Sequence, residues 1–393
     1  MNLSLLNPEI QQYISQNLHS DPTALVLKGI TFEDVSTLEL VEQIEAKSKS
    51  EKKLPTWFKL DQIYYPNKLN IEQTSSEVTA NYKSQLIGGK TLIDLTGGFG
   101  VDCYYFSKKF EQVTYCEVSP ELQKIVKHNF EILNIQNASI LNQDGIGYLK
   151  DQSAMYDWIY VDPSRRHEQK GKVFFLKDCL PNIPEHLSVL WSRSKQIMIK
   201  TSPLLDITSG IGELQYVKSI HVLAVNNEVK ELLWILEYGF TAPVKIYTAN
   251  LKTHSTENFD FYLDQESETV VDYSEPLQYL YEPNSAILKS GGFNTLVSNF
   301  NVKKLHKHSH LYTSTVQTDF PGRKFIIKKS LPYNKKKIKD LQITKANITT
   351  RNFPETVADL RKIFKIKDGG SHYLFFTTNP KNEKIVIICT KVP

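Results

Sequence analysis

The sequence predicts an α/β protein, with a doubly wound parallel sheet, a helical segment before it and two small α+β domains after it. The chain has 393 residues, more than the roughly 100–200 residues of one ordinary domain. Two patterns support this fold class. Apolar residues recur at helical spacing near the start, and strand-like and helix-like segments alternate through the middle of the chain.

Residues 1–66 are predicted to form a helical cap. The segments "NPEIQQYISQNL" and "FEDVSTLELVEQIEAKSKSEKK" carry apolar residues at the spacing of one helix face. Pro55 then interrupts the pattern. No residue pattern typical of catalysis occurs in this part of the sequence.

Residues 67–240 predict the parallel sheet. Strand-like segments are separated by helix-length segments, as in strands that lie parallel with helices on both faces of the sheet. Pro120 occupies a first-turn position of one such helix. The predicted strands are "KTLIDLT", "QVTYCEV", "ASILNQD", "YDWIYVDPS", "KQIMIKTS" and "IHVLAVNN".

Residues 241–320 and 321–393 predict the two small α+β domains. In the first, strand-like segments flank "EPNSAILKSGGFNTLVSNF", which has the pattern of two helices joined by a glycine turn. In the second, a strand, the basic helix "NKKKIKDLQI", another strand and another helix precede a closing hairpin.

Composition favours a cytoplasmic protein without a membrane span. The four cysteines are scattered without a CxxC pair or zinc spacing, which is typical of reduced thiols. No apolar run approaches the ~18 residues that a membrane-spanning helix needs. The short apolar run at the N-terminus is not preceded by a basic residue, as a secretion signal would be.

The net charge of +4 is unevenly distributed. Residues 301–393 contain 20 Lys and Arg against 6 Asp and Glu, whereas residues 1–300 contain 27 against 37. A basic tail on an acidic body indicates a polyanionic partner held at one end of the protein. The alternative is a solvated basic face without a partner.

The stretch "TLIDLTGGFGVDCYYF" has the pattern of a strand, a glycine-rich turn and a helix. Ligands of open parallel sheets bind outside the carboxyl ends of the strands, and small residues there let the backbone approach a ligand closely. The turn lacks the GxGxxG of dinucleotide sites, and no Lys follows Gly100 as in a phosphate loop. Asp94, at the end of the strand, can accept hydrogen bonds from a ligand or from backbone N–H groups.

Acidic residues also end the next predicted strands. Glu117 follows Asp94 by 23 residues, and a carboxylate there suits the two hydroxyls of a ribose. Asp144, in "NQDGIGYL", is placed to bind an adenine amino group, and the fourth strand ends in "YVDPSRR".

This layout resembles that of class I S-adenosylmethionine-dependent methyltransferases, which have a Rossmann-like sheet. Their first motif is Asp/Glu-x-Gly-x-Gly-x-Gly, and Thr96 stands here where the first Gly is usual. The alternative is another doubly wound nucleotide-binding protein. The resemblance implies that the turn holds the methionine part, Glu117 the ribose and Asp144 the adenine. The expected cofactor-binding residues are Asp94, Thr96, Gly97, Gly98, Gly100, Asp102, Glu117 and Asp144.

The run from Asp162 to Arg166 occupies the position of Asn/Asp-Pro-Pro-Tyr/Phe in methyltransferases of exocyclic amines. Arg165 replaces the aromatic residue, which disfavours a standard adenine-N6 enzyme. We expect Asp162, Pro163 and Arg165 to be catalytic, with Asp162 positioning the acceptor or taking its proton. Arg166 is expected either to bind substrate or to form a surface ion pair.

The run also resembles the Asp-Pro-Pro-Arg of RNA uracil-C5 methyltransferases, which need a nucleophilic Cys on the next strand. The matching strand here, "IMIKTSPLLD", places Lys200, Thr201 and Ser202 before Pro203 and contains no thiol. Direct methyl transfer to nitrogen or oxygen is therefore expected, without a covalent Cys intermediate.

Three further groups leave two interpretations open. Ser76, Glu77, Thr79 and Tyr82 precede the first strand, where they could cover the cofactor or cap a helix. Asn227, in "NNEVKELLW", could contact substrate or form a turn. If they lie on a strand, the histidines of "HKHSH" would share one face, which would be either solvated or in contact with phosphate; they are too few for a metal site, and no metal is expected.

Most of residues 54–393 resembles a bacterial group of class I methyltransferases that end in a THUMP-like domain. The segments "DLTGGFGVD", "VDPSRR", "YEPNSAILKSGG" and "TTRNFPETVADLRKIF" carry this match. The resemblance implies a ferredoxin-like domain at 241–320 and an RNA-binding THUMP-like domain at 321–393. Basic side chains suited to an RNA backbone are Arg323, Lys324, Lys328, Lys329, Lys335, Lys336 and Lys337.

We therefore expect a methyltransferase that uses S-adenosylmethionine to methylate a base in RNA, either tRNA or rRNA. Two other functions remain open. One is methyl transfer to a protein or a small molecule, and the other is a non-catalytic assembly factor that binds RNA through an idle methyltransferase fold.

Overall fold

The computed structural model describes residues 1–30, 32–165 and 175–392, with only the backbone of Arg165. It divides the chain into two compact units. The first comprises Met1–Lys218 and Leu233–Thr241, and the second comprises Ser219–Leu232 and Ala242–Pro393. The division passes through one hairpin, so the predicted domain limits at 66, 240 and 320 stay predictions.

The first unit begins with helices whose first turns are capped by side chains. Asn7 and Asp21 accept backbone N–H bonds at the starts of α1 and α2, each with a proline in its first turn. Ser36 and Glu39 form a capping box at the start of α3. The helices of this unit are α1 Pro8–Gln16, α2 Pro22–Lys28, α3 Thr37–Lys53, α4 Pro55–Lys59, α5 Lys68–Gln73, α6 Glu77–Leu86, α7 Val101–Ser107, α8 Pro120–Ile132, α9 Gly145–Asp151, α10 Ile183–Trp191 and α11 Ile207–Glu213.

The sheet of the first unit has the order β3-β2-β1-β4-β7-β9, where β9 contributes its last residues. The pairs β1–β2, β1–β4, β2–β3 and β4–β7 are parallel. This confirms the predicted parallel sheet, and it brings the carboxyl ends of these strands to one edge. The strands are β1 Gly89–Asp94, β2 Phe110–Cys116, β3 Ala138–Leu141, β4 Trp158–Val161, β5 Ser164–Arg165, β6 Cys179–Leu180, β7 Gln196–Thr201, β8 Val217–Val225 and β9 Glu228–Glu237.

The second unit contains two groups of strands. In one, β10 pairs parallel with β8 and antiparallel with β11. The other is a seven-stranded sheet of order β13-β14-β12-β15-β18-β17-β16. The strands are β10 Lys245–Leu251, β11 Thr256–Tyr262, β12 Tyr279–Pro283, β13 Lys303–Lys304, β14 Tyr312–Ser314, β15 Gly322–Pro332, β16 Asn347–Thr350, β17 His372–Thr378 and β18 Lys384–Lys391.

The long strand β15 pairs with β12 on one side and with β18 on the other. Buried Leu280 and Phe325 belong to one apolar cluster, and Leu360 and Phe376 belong to a second. The helices of this unit are α12 Leu263–Glu268, α13 Ser285–Ser290, α14 Thr295–Phe300, α15 Lys335–Lys339 and α16 Val357–Phe364. Within the described ranges, every helix is too short or too polar to cross a membrane.

Candidate active site

The glycine-rich turn after β1 is tightly packed. A Cβ on Gly97 would lie 2.0 Å from a ring carbon of Tyr115, so only glycine fits there. Gly100 has a φ of +77° and begins α7, a backbone conformation that glycine adopts without strain. The absence of a side chain at Gly97 therefore lets the turn pack closely against β2.

Glu117 lies directly beyond the end of β2 and beside this turn. Its Oε2 accepts a hydrogen bond of 3.0 Å from the backbone N–H of Gly98, and its Oε1 accepts one of 2.8 Å from Ser119. The side chain is only half-buried. Each carboxylate oxygen has two acceptor positions, so both can still receive a ligand hydroxyl.

Thr96 connects the ends of β1 and β4. Its hydroxyl accepts a hydrogen bond of 2.7 Å from the backbone N–H of Asp162, and its own N–H donates to Asp94 over 3.0 Å. A glycine at this position could not make the first of these contacts. The departure from the usual motif thus has a structural reason.

Asp94 is the most deeply buried of the acidic residues at this edge, with 1% of its surface exposed. Burial raises the pKa of its carboxyl well above the ordinary value. The N–H of Thr96 opposes this rise, and the neighbouring carboxylates of Asp102, Asp162 and Glu117 add to it. A cationic ligand group bound among these carboxylates would lower their mutual repulsion.

Asp144 begins α9 at the same edge of the sheet. Its Oδ2 accepts a hydrogen bond of 2.8 Å from Gly147 and so caps the helix. The side chain is exposed. Gly145 packs against Leu95, because a Cβ there would lie 2.6 Å from the Leu95 carbonyl oxygen. The structure therefore brings Asp144 close to the end of β1.

Asp102 lies on α7 within a buried polar cluster. Its Oδ1 is 3.1 Å from Nζ of Lys83, whose side chain is fully buried. Its Oδ2 accepts hydrogen bonds from Tyr160, at 2.7 Å, and from Ser75, at 2.9 Å. Both carboxylate oxygens of this predicted cofactor-binding residue therefore have protein partners.

The pKa of Asp102 reflects this cluster. Burial alone would raise it, but the charges of Lys83 and Lys200 and the hydroxyls of Tyr160 and Ser75 together lower it below the ordinary value. Lys83 is not among the residues predicted from the sequence. Its pairing with Asp102 joins two different helices, α6 and α7, and no local motif signals such a contact.

Asp162 follows β4 and forms an ion pair with Lys200 on β7. Its side chain is 33% exposed, whereas that of Lys200 is 11% exposed. Pro163 is buried. Lys200 is not among the predicted site residues. A lone Lys in the apolar strand "QIMIKT" is nevertheless a sequence signal for a specific partner.

The structure describes only part of the Asp162–Arg166 run. Ser164 and Arg165 form β5, which pairs antiparallel with β6. The side chain of Arg165 and the whole of Arg166 lie outside the described residues.

Two of the predicted groups have local partners. Asn227 lies in the second unit, in the tight turn between β8 and β9, with a φ of +67°. Its side chain accepts from the N–H of Ser285 over 2.8 Å. Ser76 accepts from the N–H of Thr79 at the start of α6. The structure shows a turn and a helix cap at these positions, and contact of Asn227 with substrate stays a prediction.

The histidines of "HKHSH" do not lie on a strand, so the shared face that a strand would give them is absent. They occupy a turn after β13. In this turn the N–H of Ser309 donates a hydrogen bond to the carbonyl oxygen of His306. His306 contacts Asn382 at 2.9 Å and Asn352 at 3.1 Å. His310 stacks on the ring of Phe293, and burial lowers its pKa to about 4. In the described part of the chain, no group of three or more metal-binding side chains is found.

The predicted RNA-binding residues of the tail divide into those that form an ion pair and those for which none is found among the described residues. Arg323 forms an ion pair with the buried Glu282, and Lys324 forms one of 2.8 Å with Asp319. The exposed lysines lie on β15 and α15, and no ion pair is found for them among the described residues. They are Lys328, Lys329, Lys335, Lys336 and Lys337.

A solved structure matches the whole chain. It is a protein of Porphyromonas gingivalis W83 named "putative methyltransferase", which shares 31% identity and a TM-score of 0.90 over 100% of both chains. The chain belongs to this methyltransferase family. The match confirms the predicted fold class and the methyltransferase class of the protein.

Two family models match the C-terminal part of this methyltransferase. Residues 279–321 match a ferredoxin-like domain, and residues 322–391 match a THUMP domain-like family. These matches confirm that the methyltransferase carries a THUMP-like domain at its C-terminus.

One curated relative is a Mycoplasma mobile protein named "Uncharacterized RNA methyltransferase". It is 30% identical over 133 residues, which are 33% of this chain. The aligned part spans 36% of the relative, so about a third of that protein's length is matched.

Proposed function

We propose that the protein is an S-adenosylmethionine-dependent methyltransferase that methylates a base in RNA by direct transfer. The observation that carries this proposal is the set of acidic residues at one edge of the parallel sheet. Asp94, Glu117, Asp144 and Asp162 end or follow β1, β2, β3 and β4, and three of them contact the glycine-rich turn or its first residues.

The residues at this edge fit the cofactor. A Cβ on Gly98 would contact only the Thr96 carbonyl oxygen, at 3.8 Å, so a ligand can approach its backbone. Glu117 offers acceptors for two ribose hydroxyls, and the neighbouring Val118 is 67% exposed, an apolar surface suited to a flat base. Asp144 is placed to accept from an adenine amino group. Asp102 has protein partners for both oxygens, so we propose that it stabilises the glycine-rich turn and does not contact the cofactor directly.

The bound cofactor would supply an activated methyl group on a sulfonium. This chain's own residues would align the acceptor. Asp162 accepts a hydrogen bond from an acceptor N–H, and its own N–H is fixed by Thr96. Pro163 restricts the backbone of Asp162, the residue before it. We propose that alignment of donor and acceptor supplies most of the rate, since a sulfonium needs little further activation.

The cysteines support transfer without a covalent intermediate. All four are buried, and none forms a disulfide within the described residues. Burial raises the pKa of the Cys103 thiol well above the ordinary value and that of Cys116 to about 12. The nucleophilic form of cysteine is the thiolate, so these thiols are poor nucleophiles at neutral pH.

RNA is the acceptor that the second unit supports best. The THUMP-like segment presents exposed lysines on β15 and α15, including Lys328 and Lys335, which suit a phosphate backbone. The name of the Mycoplasma mobile relative points to the same substrate. A tRNA or rRNA substrate would place the reaction in the cytoplasm.

Two measurements test the proposal together. Calorimetry of the purified protein with S-adenosylmethionine should show binding. Mass spectrometry of nucleosides from total RNA should show one methylated nucleoside that disappears when the gene is deleted and returns with a plasmid copy. A methyl donor that binds while every RNA nucleoside stays unchanged would instead favour a protein or small-molecule acceptor.

A further inference from the structure

Lys200 is a cation placed where strands usually bury apolar side chains. Ile197, Met198 and Ile199, the residues before it on β7, are all fully buried. Lys200 itself is 9% exposed. Because a buried ammonium costs several kcal/mol unless it is paired, its presence here requires a specific partner.

The sheet register delivers that partner. Val161, the last residue of β4, lies opposite Ile199 of β7 in the parallel pairing. The residues that come next, Asp162 and Lys200, are therefore neighbours at the carboxyl edge of the sheet. Nζ of Lys200 donates to Oδ2 of Asp162. The charge of Lys200 also acts on Asp102. Lys200 therefore lies among carboxylates that would otherwise repel one another.

We propose that Lys200 is a positioning residue for the methyl-acceptor site. It fixes the carboxylate of Asp162 from the side-chain end, while Thr96 fixes the same residue at its backbone N–H. Asp162 is then held in one orientation before the acceptor arrives. The positive charge of Lys200 balances the negative charge of Asp162 beside the cationic methyl donor. This inference rests on the proposed function, in which Asp162 contacts the acceptor.

The test compares three full-length variants with the wild type. K200M removes the charge at similar length, K200R keeps a donor, and K195M changes an exposed lysine just before the same strand as a matched control. Methyl transfer is measured to total RNA from a strain that lacks the gene, with an isotopically labelled donor. Donor affinity is measured separately by calorimetry.

We expect K200M to lower turnover about 100-fold, since small misplacements of a reacting group have effects of this size. Its affinity for the methyl donor should stay unchanged, K200R should restore most of the turnover, and K195M should match the wild type. Wild-type turnover in K200M, or an equal loss in turnover and donor affinity, would overturn the positioning role.

A crystal structure of K200M tests the same inference without a substrate. The Asp162 side chain should leave the position that it occupies in the wild type, while its backbone N–H stays bonded to Thr96. An unmoved Asp162 carboxylate would overturn the inference. If the wild type transfers no methyl group to RNA, the proposed function fails. The crystal structure of K200M still decides whether Lys200 positions the Asp162 carboxylate.

Discussion

The hydroxyl of Thr96 accepts a hydrogen bond of 2.7 Å from the backbone N–H of Asp162. This hydrogen bond joins the turn proposed to hold the cofactor with the residue proposed to hold the acceptor. A methyl donor that settles in the turn would therefore lie at a fixed distance from Asp162. The stability of this hydrogen bond and the alignment of the reaction should change together.

Thr96→Val tests this connection, because valine has the shape of threonine without the hydroxyl. It leaves the partly buried Asp162 N–H without its partner, at a cost near the lower end of the about 1–3 kcal/mol that an unsatisfied buried donor carries. We expect urea denaturation to show a loss of that size, together with slower methyl transfer. Thr96→Ser restores the hydroxyl and should recover most of both. A valine variant as stable and as active as the wild type would contradict the connection.

Asp94 predicts a dependence of stability on pH. Burial raises the pKa of its carboxyl in the folded protein above the value of ~3.9 in an unfolded chain. The stability contributed by this group is therefore complete below the unfolded value and is lost as the pH rises through the raised pKa. Asp94→Asn keeps an oxygen for the Thr96 N–H and carries no charge to bury.

We expect the difference in unfolding free energy between D94N and the wild type to grow in favour of D94N over the pH range that begins at about 4, the ordinary pKa of the unfolded carboxyl. Urea denaturation across that range measures the difference. The same variant should bind the methyl donor more weakly, because a bound cation favours the ionised form of Asp94 and asparagine cannot ionise. A constant difference across the range would show that Asp94 titrates normally in the folded protein.

The edge of the sheet could be predicted from the sequence better than the contacts across it. Asp94 ends a strand and Glu117 and Asp162 follow strands whose patterns are local, so their shared edge follows from parallel pairing. The partner of Thr96 lies 66 residues away, and the pairs Lys83–Asp102 and Lys200–Asp162 likewise join distant segments. Such pairs depend on register and helix packing, which no local pattern states.

Two further motifs are each compatible with more than one interpretation. The two asparagines of "NNEV" adopt positive φ angles in a two-residue hairpin turn, a conformation that asparagine tolerates well. The same residues would also suit a ligand edge, and nothing in the sequence separates these possibilities. The "HKHSH" run alternates like a strand, but its backbone hydrogen bonds close within a turn.

The exposed lysines of α15 predict how RNA binding depends on salt. A triple change of Lys335, Lys336 and Lys337 to Ala removes three positive charges that have no ion pair among the described residues. We expect weaker RNA binding and a salt slope smaller by about three, near one for each phosphate that the variant no longer neutralises. Filter binding at several salt concentrations measures both.

A matched triple change provides the control for this experiment. Lys28, Lys52 and Lys59 are exposed lysines of the first unit, and their change to Ala alters the net charge by the same amount. It should leave the salt slope close to that of the wild type. Equal effects of the two triples would show that the total charge of the protein, and not the face of α15, determines RNA binding.

Methyl transfer by the purified protein is the most direct test of the central claim. Wild type and Asp162→Asn are incubated with labelled S-adenosylmethionine and total RNA from a strain that lacks the gene, and the RNA is digested to nucleosides. We predict that the wild type labels one nucleoside and that the variant, with donor binding intact, labels it far more slowly. Label that appears in no nucleoside, or equally with both proteins, would contradict the account.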